Sequence, residues 1–285
     1  MKTKKIALGT AQWGMNYGIS NSNGVPLDKE LNSILSLARQ CGINVFDTAS
    51  KYGNAEERLG KLLTIENKIV TKIGGFENGE NVMIQLQSSL KKLKKNIYAC
   101  LFHSSDELIQ YPDLWLQLIL AKKKGLIKKI GYSLYEPKEL EYLLEMGMRP
   151  DIIQVPYNLL DRKFESYIKR LKSEGVEIHI RSVFLQGLFF KSPLEIPPQL
   201  YDLKPALIEI DNLSKKYNLS KLELSLGFVL QNPNIDHVVV GVETKNQLEE
   251  IINAVKIKIK IDVIDLILEI PVNDNKLLNP SNWKN

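Results

Sequence analysis

The sequence has few of the residues that build metal or disulfide sites, with only 2 cysteines and 3 histidines in 285 residues. Two cysteines, Cys41 and Cys100, are too few for a disulfide framework and fit a reducing compartment. His179 and His237 lie far along the chain from His103, and neither an HxxxH nor a CxxC spacing occurs. The sequence therefore predicts no metal site.

The chain also lacks long apolar runs, phosphate-binding loops and clustered arginine. No stretch reaches the roughly 18 apolar residues of a membrane span, and the short apolar part of MKTKKIALGTAQWG predicts no signal peptide. Neither a GxGxxG nor a Walker motif is found. The net charge of +5 comes from lysines scattered among acids, while arginine is scarce. Because arginine is preferred for phosphate and base contacts, we expect no nucleic-acid partner. The expected lack of a signal peptide and of a membrane span, together with the few cysteines, leads us to expect a cytoplasmic protein without a membrane partner.

The overall composition is that of a globular protein. With 44% hydrophobic and 25% charged residues, the chain can bury a large core and is not a disordered or fibrous sequence. No linker or shift in composition divides it. We therefore predict one domain over residues 1–285 with a polar C-terminal tail over 271–285. The tail is either a fraying terminus or a rim element that Leu277, Leu278 and Trp283 pin to the body.

Eight short apolar, β-branched runs alternate with longer segments of helical period. This alternation is typical of repeated βα units and a parallel sheet. The predicted strands are Ile6–Leu8, Ile43–Phe46, Lys68–Thr71, Tyr98–Phe102, Lys129–Tyr132, Ile152–Val155, Glu177–Ile180 and His237–Val240. Eight such units in a chain of this length favour a closed (β/α)8 TIM barrel over an open doubly wound sheet, which usually has fewer strands and a Gly-rich first turn.

Helices are predicted between the strands. Apolar residues in Asp28–Gln40, for example, recur at spacings of three and four, which places them on one helix face. The connection over residues 184–203 contains three prolines and is predicted to be a lid or rim loop. The predicted helices are Asp28–Gln40, Ala55–Leu63, Gly79–Leu93, Pro112–Lys124, Pro137–Met146, Arg162–Ser173, Pro205–Tyr217, Lys221–Gln231 and Thr244–Val255.

Polar side chains follow three neighbouring predicted strands. Asp47 and Tyr52 come after the second strand, Lys72 after the third and His103 after the fourth. In an α/β barrel the working groups lie just past the C-terminal ends of the strands. A lysine at the end of an apolar strand must be paired or neutral, and Asp47 is the expected partner of Lys72. Each residue alone has a structural interpretation, but together they form a candidate site.

These four side chains suit proton donation to a carbonyl oxygen. A phenol with a pKa of about 10 is a weak acid, and a nearby ammonium stabilises the phenolate and lowers that pKa. We therefore expect Lys72 to lower the pKa of Tyr52 and Asp47 to hold Lys72 in place. His103 could donate a hydrogen bond that orients the substrate oxygen.

The segment GINVFDTASKYGNAEERLGKLL, followed by one strand ending in Lys72 and another ending in His103, resembles the aldo-keto reductases. These proteins are (β/α)8 barrels that reduce carbonyls with NADPH, and the resemblance spans nearly the whole chain. It implies an NAD(P)H-dependent oxidoreductase in which Tyr52 is the proton donor, Asp47 and Lys72 support it, and His103 orients the carbonyl. It also implies a small-molecule carbonyl substrate and a monomeric protein.

The resemblance also implies where the nicotinamide would bind. The carboxamide contacts correspond to Ser133 in GYSLYEP and Gln154 in DIIQVPYNLLDR. After the seventh strand, where the family often has an aromatic residue stacked on the nicotinamide, this chain has Arg181. A planar guanidinium can also stack on a ring, and its charge would disfavour the oxidised cofactor. Gly187 in LQGLFF would allow close approach of the pyrophosphate, or is a plain turn glycine.

The adenosine end is expected after the eighth strand. Thr244 and Gln247 have the spacing of a capping box, so a helix N-terminus would point at the barrel mouth and hold phosphate oxygens. Lys245, in the first turn, is the candidate partner for a 2′-phosphate. By resemblance, Gln247 and Glu250 contact the adenosine. Lys245 favours NADPH, but the Lys-Ser pair that some members use for the 2′-phosphate is replaced by Gly241 and Val242, so NADH stays open.

The first rim loop, AQWGMNYGISNSNG, is expected to contact the substrate. Trp13 and Tyr17 would form apolar walls beside three asparagines, which suits a polar carbonyl compound such as a sugar derivative. Trp13 could equally pack on the rim. Two other functions stay open: a nucleotide-binding regulatory subunit of the same fold with little turnover, and an aldolase-like reaction in which Lys72 forms a Schiff base. The proximity of Asp47 favours a lysine that stays charged.

Overall fold

Eight parallel strands close into a barrel in the computed structural model, which describes residues 2–19, 21, 23–76 and 81–283. Each strand pairs with its neighbour in sequence, and the last pairs with the first, where Ile6 lies opposite Val238. This closed (β/α)8 barrel confirms the predicted fold. The strands are β1 (Ile6–Gly9), β2 (Val45–Asp47), β3 (Lys68–Ile73), β4 (Ile97–Phe102), β5 (Ile127–Ser133), β6 (Ile152–Pro156), β7 (Glu177–Arg181) and β8 (His237–Gly241).

Helices surround the barrel, and within the described part of the chain none is long and apolar enough to cross a membrane. They are α1 (Ala11–Gly14), α2 (Asp28–Gln40), α3 (Ala55–Leu62), α4 (Val82–Leu93), α5 (Asp106–Gln110), α6 (Asp113–Lys123), α7 (Pro137–Glu145), α8 (Glu165–Ser173), α9 (Lys204–Tyr217), α10 (Lys221–Gln231), α11 (Lys245–Ala254) and α12 (Ile261–Leu268).

Most predicted helices are present, with shifts at their ends. The predicted start at Gly79 lies outside the described residues; α4 begins at Val82, where the Asn81 side chain accepts a hydrogen bond from the Met83 N–H at 2.7 Å. The short helices α1 and α5 and the helix α12 were not predicted; α1 lies in the stretch expected to be the first rim loop. The connection over 184–203 contains two short 3₁₀ helices, Leu185–Phe190 and Pro198–Leu203.

The core has two apolar layers that alternate along each strand. A large layer lies between the strands and the helices. A small layer fills the barrel, and its members are Ala7, Val45, Val70, Ala99, Leu101 and Ile152. Because successive side chains of a strand point to opposite faces, residues two positions further along continue the interior face. The residues that follow this layer therefore reach the barrel mouth.

Gly60 lets α3 pack closely against the end of α4. A Cβ at this position would overlap the carbonyl oxygen of Lys92 and come 2.8 Å from that of Leu93. Both obstructing atoms belong to the backbone, so rotation of a side chain cannot relieve the overlap.

Gly60→Ala should therefore destabilise the protein. A Gly-to-Ala change inside a helix ordinarily stabilises by about 1 kcal/mol, but the overlap with backbone should cost about 1–3 kcal/mol net. Urea unfolding measures the free energy. The matched control is Lys61→Ala, at an exposed position of the same helix, which should be neutral or slightly stabilising. A stabilised Gly60→Ala variant would contradict the close packing of α3 on α4.

Candidate active site

Four polar side chains meet at the barrel mouth because they continue the interior face of their strands. Asp47, Lys72, His103 and Gln154 each stand two positions after an apolar residue of the barrel interior. In the same order, those apolar residues are Val45, Val70, Leu101 and Ile152. The barrel interior is therefore apolar along the strands and polar at their C-terminal ends, where α/β barrels have their active sites.

Lys72 and Asp47 form a buried ion pair. Lys72 Nζ lies 2.5 Å from Asp47 Oδ1, and the two side chains are only 1% and 5% exposed. The other carboxylate oxygen accepts a hydrogen bond from Gln154 Nε2 at 2.8 Å, and Lys72 also donates to the Thr48 carbonyl at 3.4 Å. Both charges are thus paired and hydrogen-bonded, as burial requires. This arrangement favours an ammonium on Lys72 over a Schiff-base nucleophile.

The loop that carries Tyr52 is fixed between β2 and α3. The Ser50 N–H donates to the Lys72 carbonyl at 2.9 Å, which ties the loop to β3. On its other side, Gly14 of α1 lies so close that a Cβ there would overlap the Tyr52 carbonyl and come 2.6 Å from the Ala55 nitrogen. The backbone of Tyr52 is therefore held from two directions.

The Tyr52 ring stands between His103 and Lys72. It meets the His103 ring edge-on, with 5.6 Å between the ring centroids and an angle of 85° between the planes. Lys72 Nζ lies 5.3 Å from the Tyr52 ring centroid. The structure thus brings together all four residues that the sequence predicted for the catalytic site.

Tyr52 is a protonated phenol in the free protein. Burial raises the pKa of Tyr52 well above its ordinary value and the Asp47 carboxylate raises it further, while the Arg181 guanidinium opposes them. The prediction that Lys72 lowers this pKa is therefore wrong for the free protein. The reason is that burial, and after it the Asp47 carboxylate, outweighs the positive charge near the phenol. Tyr52 therefore holds its proton in the free protein.

His103 is a neutral imidazole at physiological pH. Burial lowers the pKa of His103 to about 3, and the positive charges of Lys72, Lys51 and Arg181 act in the same direction. Its buried Nδ1 has no hydrogen-bond partner among the described residues. A neutral imidazole has one N–H donor, which can orient an oxygen without competing with Tyr52 as the acid.

These residues open into a cavity of about 960 Å³. This volume lies within the usual range of about 300–1,000 Å³ for ligand and cofactor pockets. We call the end lined by Asp47, Tyr52, Lys72 and His103 the catalytic end. A second group of lining residues, which we call the far end, comprises residues 220–223, several residues between Gly241 and Ala254, and Pro280 and Ser281.

The C-terminal tail is a rim element of this cavity. Leu278 is buried against the body of the protein, and the Trp283 indole N–H donates to the Leu277 carbonyl at 2.8 Å. These contacts place Pro280 and Ser281 at the far end. Of the two possibilities left open for the tail, the structure shows the rim element.

Ser133, Gln154 and Arg181, the residues expected near the nicotinamide, all line the cavity. Arg181 Nη2 donates to the Leu134 carbonyl at 2.9 Å, and its Nε lies 3.4 Å from Ser133 Oγ. The guanidinium carbon is 4.0 Å from the centroid of the Tyr135 ring. One face of the guanidinium therefore stacks on a residue that sequence reasoning missed, although Tyr135 follows Ser133 by only two positions.

The loop after β7 has an unusual backbone where it borders the cavity. Ser182, Leu185 and Gln186 have φ angles of 60°, 47° and 53°, and Gly187 has a φ of 90°. Such angles cost about 1–3 kcal/mol for residues other than glycine and cluster at ligand clamps. Asn158 Nδ2 holds the loop by donating to the Ser182 carbonyl at 2.9 Å. Gly187 lines the cavity, as its predicted role near a pyrophosphate requires.

The predicted capping box at the start of α11 is present. Thr244 Oγ1 accepts from the Gln247 N–H at 3.2 Å, and Gln247 Oε1 accepts from the Thr244 N–H at 3.3 Å and from the Glu243 N–H at 2.7 Å. Gln247 and Glu250 line the cavity, but Thr244 does not. The start of this helix is therefore satisfied largely by side chains of the protein itself.

Lys245 is not placed to receive a phosphate from the cavity. Its N–H donates to the Glu30 carboxylate at 2.6 Å, and its Nζ lies 2.9 Å from Glu249. Its side chain does not line the cavity. We therefore correct its assignment as the free partner of a 2′-phosphate, because both of its donors already have a carboxylate.

Of the two aromatic residues predicted to contact substrate, Tyr17 lines the cavity and Trp13 does not. Trp13 is fully buried, packs on Phe46, and donates its indole N–H to the Val242 carbonyl at 2.9 Å. Its assignment as a pocket wall is wrong, because this buried acceptor draws the ring into the core. Tyr17 lines the cavity, and its hydroxyl accepts from Gln186 Nε2 at 3.3 Å.

A second titratable cluster lies at the opposite end of the barrel. Ligand-type atoms of Glu177, His179 and His237 come within 4.8 Å of one another, which the spacing along the chain did not predict because β7 and β8 are distant in sequence. Glu177 interacts with His179 Nε2 at 2.7 Å and accepts from the Tyr98 hydroxyl and Lys129 Nζ, each at 2.6 Å. Three protein groups thus engage this carboxylate in an ion-pair network beneath the barrel core.

The pattern that describes the Aldo/keto reductase family matches residues 5–271, nearly the whole barrel. The chain belongs to this family. Family membership and the named relatives support a general role as a nicotinamide-dependent oxidoreductase.

The chain is similar to proteins of different specificity. It is 25% identical over 284 residues to L-galactose dehydrogenase of Arabidopsis thaliana, covering 90% of this chain and 85% of that protein. It is 23% identical to the NADH-specific methylglyoxal reductase of Escherichia coli, covering 90% and 94%. The solved holo structure of an aldo-keto reductase from Bacillus halodurans shares the fold, with a TM-score of 0.75, 19% identity and coverage of 93% and 91%.

Asp47→Asn should destabilise the folded protein by about 3–5 kcal/mol, because it leaves a buried ammonium without its anion. Urea unfolding near neutral pH measures the loss. The double variant Asp47→Asn/Lys72→Met removes both charges and should recover most of the stability. If the double variant is as unstable as the single one, the unpaired ammonium is not the cause.

Stability should fall as the pH falls below 6.5 because of His103. Below this pH the unfolded chain binds a proton at His103. In the folded protein the pKa of His103 is lowered to about 3, so the imidazole stays neutral until the pH is much lower. His103→Gln removes this proton uptake. The stability advantage of wild type over the variant should therefore shrink between about pH 7.5 and about pH 5, as measured by urea unfolding. The depressed pKa of His237 affects both proteins alike. A constant difference would contradict a neutral buried His103.

Proposed function

We propose that the chain is an NAD(P)H-dependent reductase of a small aldehyde or ketone, with Tyr52 as the proton donor. The observation that carries this proposal is the pairing of a buried, protonated phenol with a neutral imidazole, 5.6 Å apart between ring centroids at the head of a large cavity. Such a pair can hold a carbonyl oxygen and protonate it.

Each residue of the catalytic end has one task in this reaction. The bound reduced nicotinamide would supply hydride to the carbonyl carbon. His103 donates a hydrogen bond that orients the carbonyl oxygen, and the Tyr52 hydroxyl gives its proton to that oxygen. The phenolate that remains would be stabilised by the Arg181 guanidinium, which already opposes the rise in the Tyr52 pKa, while the Lys72 ammonium lies 5.3 Å from the ring centroid. Asp47 keeps Lys72 in position during this change of charge.

The cavity fits a nicotinamide dinucleotide in size and in the groups that it offers. Ser133 and Gln154 would hold the carboxamide at the catalytic end; Gln154 Nε2 is engaged by Asp47, and its carbonyl oxygen can accept from the amide. The loop around Gly187 would lie along the pyrophosphate. Gln247 and Glu250 would face the adenosine.

Two observations weigh against the other functions. The 2.5 Å contact between Lys72 and Asp47 argues against an aldolase-like Schiff base on Lys72. The meeting of Asp47, Tyr52, Lys72 and His103 at one end of the cavity argues against a regulatory subunit, because such a subunit would not need these residues together. The relative named for methylglyoxal reduction supports a small carbonyl substrate. Tyr17 and Gln186 place a hydroxyl and an amide at the rim, which suits a hydroxylated compound such as a sugar derivative.

Tyr52→Phe should lower kcat about 10²–10⁴-fold, because it keeps the ring and removes only the proton. Loss of reduced-cofactor absorbance in single-turnover experiments with a panel of aldehydes and ketones measures the rate. Fluorescence titration should show unchanged affinity for the dinucleotide. The control is Tyr142→Phe, at an exposed tyrosine of α7.

Full activity of Tyr52→Phe would exclude Tyr52 as the proton donor. A wild-type protein that binds the dinucleotide but reduces none of the panel would favour the regulatory subunit.

A further inference from the structure

The far end of the cavity is rich in carboxylates. Glu223, Glu243 and Glu250 line it, and among the described residues the one cationic side chain lining this part is Lys221. A ligand group bound here therefore meets more negative than positive charge.

The lysines near the far end already have partners. Lys221 Nζ lies 2.5 Å from Asp211 and donates to the Lys191 carbonyl at 3.2 Å. Lys245 Nζ pairs with Glu249 at 2.9 Å. An added anion would have to compete with a carboxylate for either cation.

The helix terminus next to this region is also occupied by a carboxylate. The Lys245 N–H in the first turn of α11 donates to Glu30 at 2.6 Å. A helix N-terminus attracts anions through its free N–H groups and its dipole. Here Glu30 takes that position, so the terminus adds little attraction for a second anion.

Glu243 has a different environment from the lysine-bound acids. Its side chain is 8% exposed, lines the cavity, and accepts a hydrogen bond from Gln247 Nε2 at 2.7 Å. Within the described ranges of the chain, neither Glu243 nor Glu250 takes part in an ion pair. The position of Glu243 is held by an amide, which leaves its negative charge uncompensated.

The adenosine ribose belongs at this end if the proposed function is correct. The hydride donor must lie beside Tyr52, so the nicotinamide occupies the catalytic end. The rest of the dinucleotide must then extend past the loop around Gly187 towards the far end, where the remaining lining residues are.

We propose that the protein selects NADH over NADPH, and that Glu243 is the residue that sets this preference. The inference rests on the proposed function and opposes the NADPH preference predicted from Lys245. A 2′-phosphate carries a charge of about −1.5 to −2 near neutral pH, which the uncompensated carboxylates repel. A 2′-hydroxyl can instead donate a hydrogen bond to a carboxylate oxygen, as it does to acidic residues in other NAD sites.

The test measures binding and does not depend on turnover. Protein fluorescence or calorimetry gives the Kd of wild type for NADH and NADPH, and for ADP and 2′,5′-ADP, which lack the nicotinamide. We expect NADH to bind at least about tenfold more tightly than NADPH, and ADP more tightly than 2′,5′-ADP by a similar factor. Raising the salt concentration should bring the Kd values within each pair closer together, because salt screens the repulsion between the 2′-phosphate and the carboxylates.

Glu243→Gln should lower the NADH preference by at least about fivefold, chiefly by strengthening NADPH binding. The matched control is Glu145→Gln, an exposed acid of α7 away from the cavity, which should keep the wild-type ratio. Thermal melting checks that both variants fold. The wild-type ratios for the dinucleotides and for the ADP pair need no variant at all.

Equal or tighter binding of NADPH by wild type would overturn the inference and leave the proposed function intact. An unchanged ratio in a folded Glu243→Gln variant would overturn the role of Glu243. Binding of neither dinucleotide would overturn the proposed function, and the inference with it.

Discussion

The buried ion pair between Lys72 and Asp47 is the constraint on which the rest of the site depends. Two opposite charges at the mouth of an apolar barrel are tolerated only when both are paired and hydrogen-bonded. The pairing requires β2 and β3 to lie side by side, and the Gln154 contact to Asp47 requires β6 to face them across the mouth. The geometry that keeps these charges stable is therefore also the geometry that brings Tyr52 and His103 together.

Burial, more than charge alone, sets the protonation states of the catalytic end. It keeps the proton on Tyr52 and keeps His103 neutral, although both residues are near cations. The result is a phenol that keeps its proton beside an imidazole that carries no charge. At the far end of the cavity, by contrast, Glu243 is held by the Gln247 amide rather than by a lysine.

Local patterns in the sequence predicted the features that depend on periodicity. The eight strands, the capping box at Thr244 and the meeting of Asp47, Lys72 and His103 all follow from spacing and from the rule that strand ends carry the chemistry. Long-range packing decided what the patterns could not predict. Trp13 is buried in the core, where its indole N–H donates to the Val242 carbonyl. The Lys245 side chain forms an ion pair with Glu249. Partners more than 200 residues apart, such as Lys245 and Glu30, leave no signal in a local window.

The pairing of β1 with β8 has a consequence for how the chain acquires its shape. These two strands are neighbours in the barrel but stand at opposite ends of the sequence, so the cylinder cannot close during synthesis until Gly241 has left the ribosome. Until then the edges of β1 and of the growing sheet lack their final partners, and open strand edges can pair with other chains.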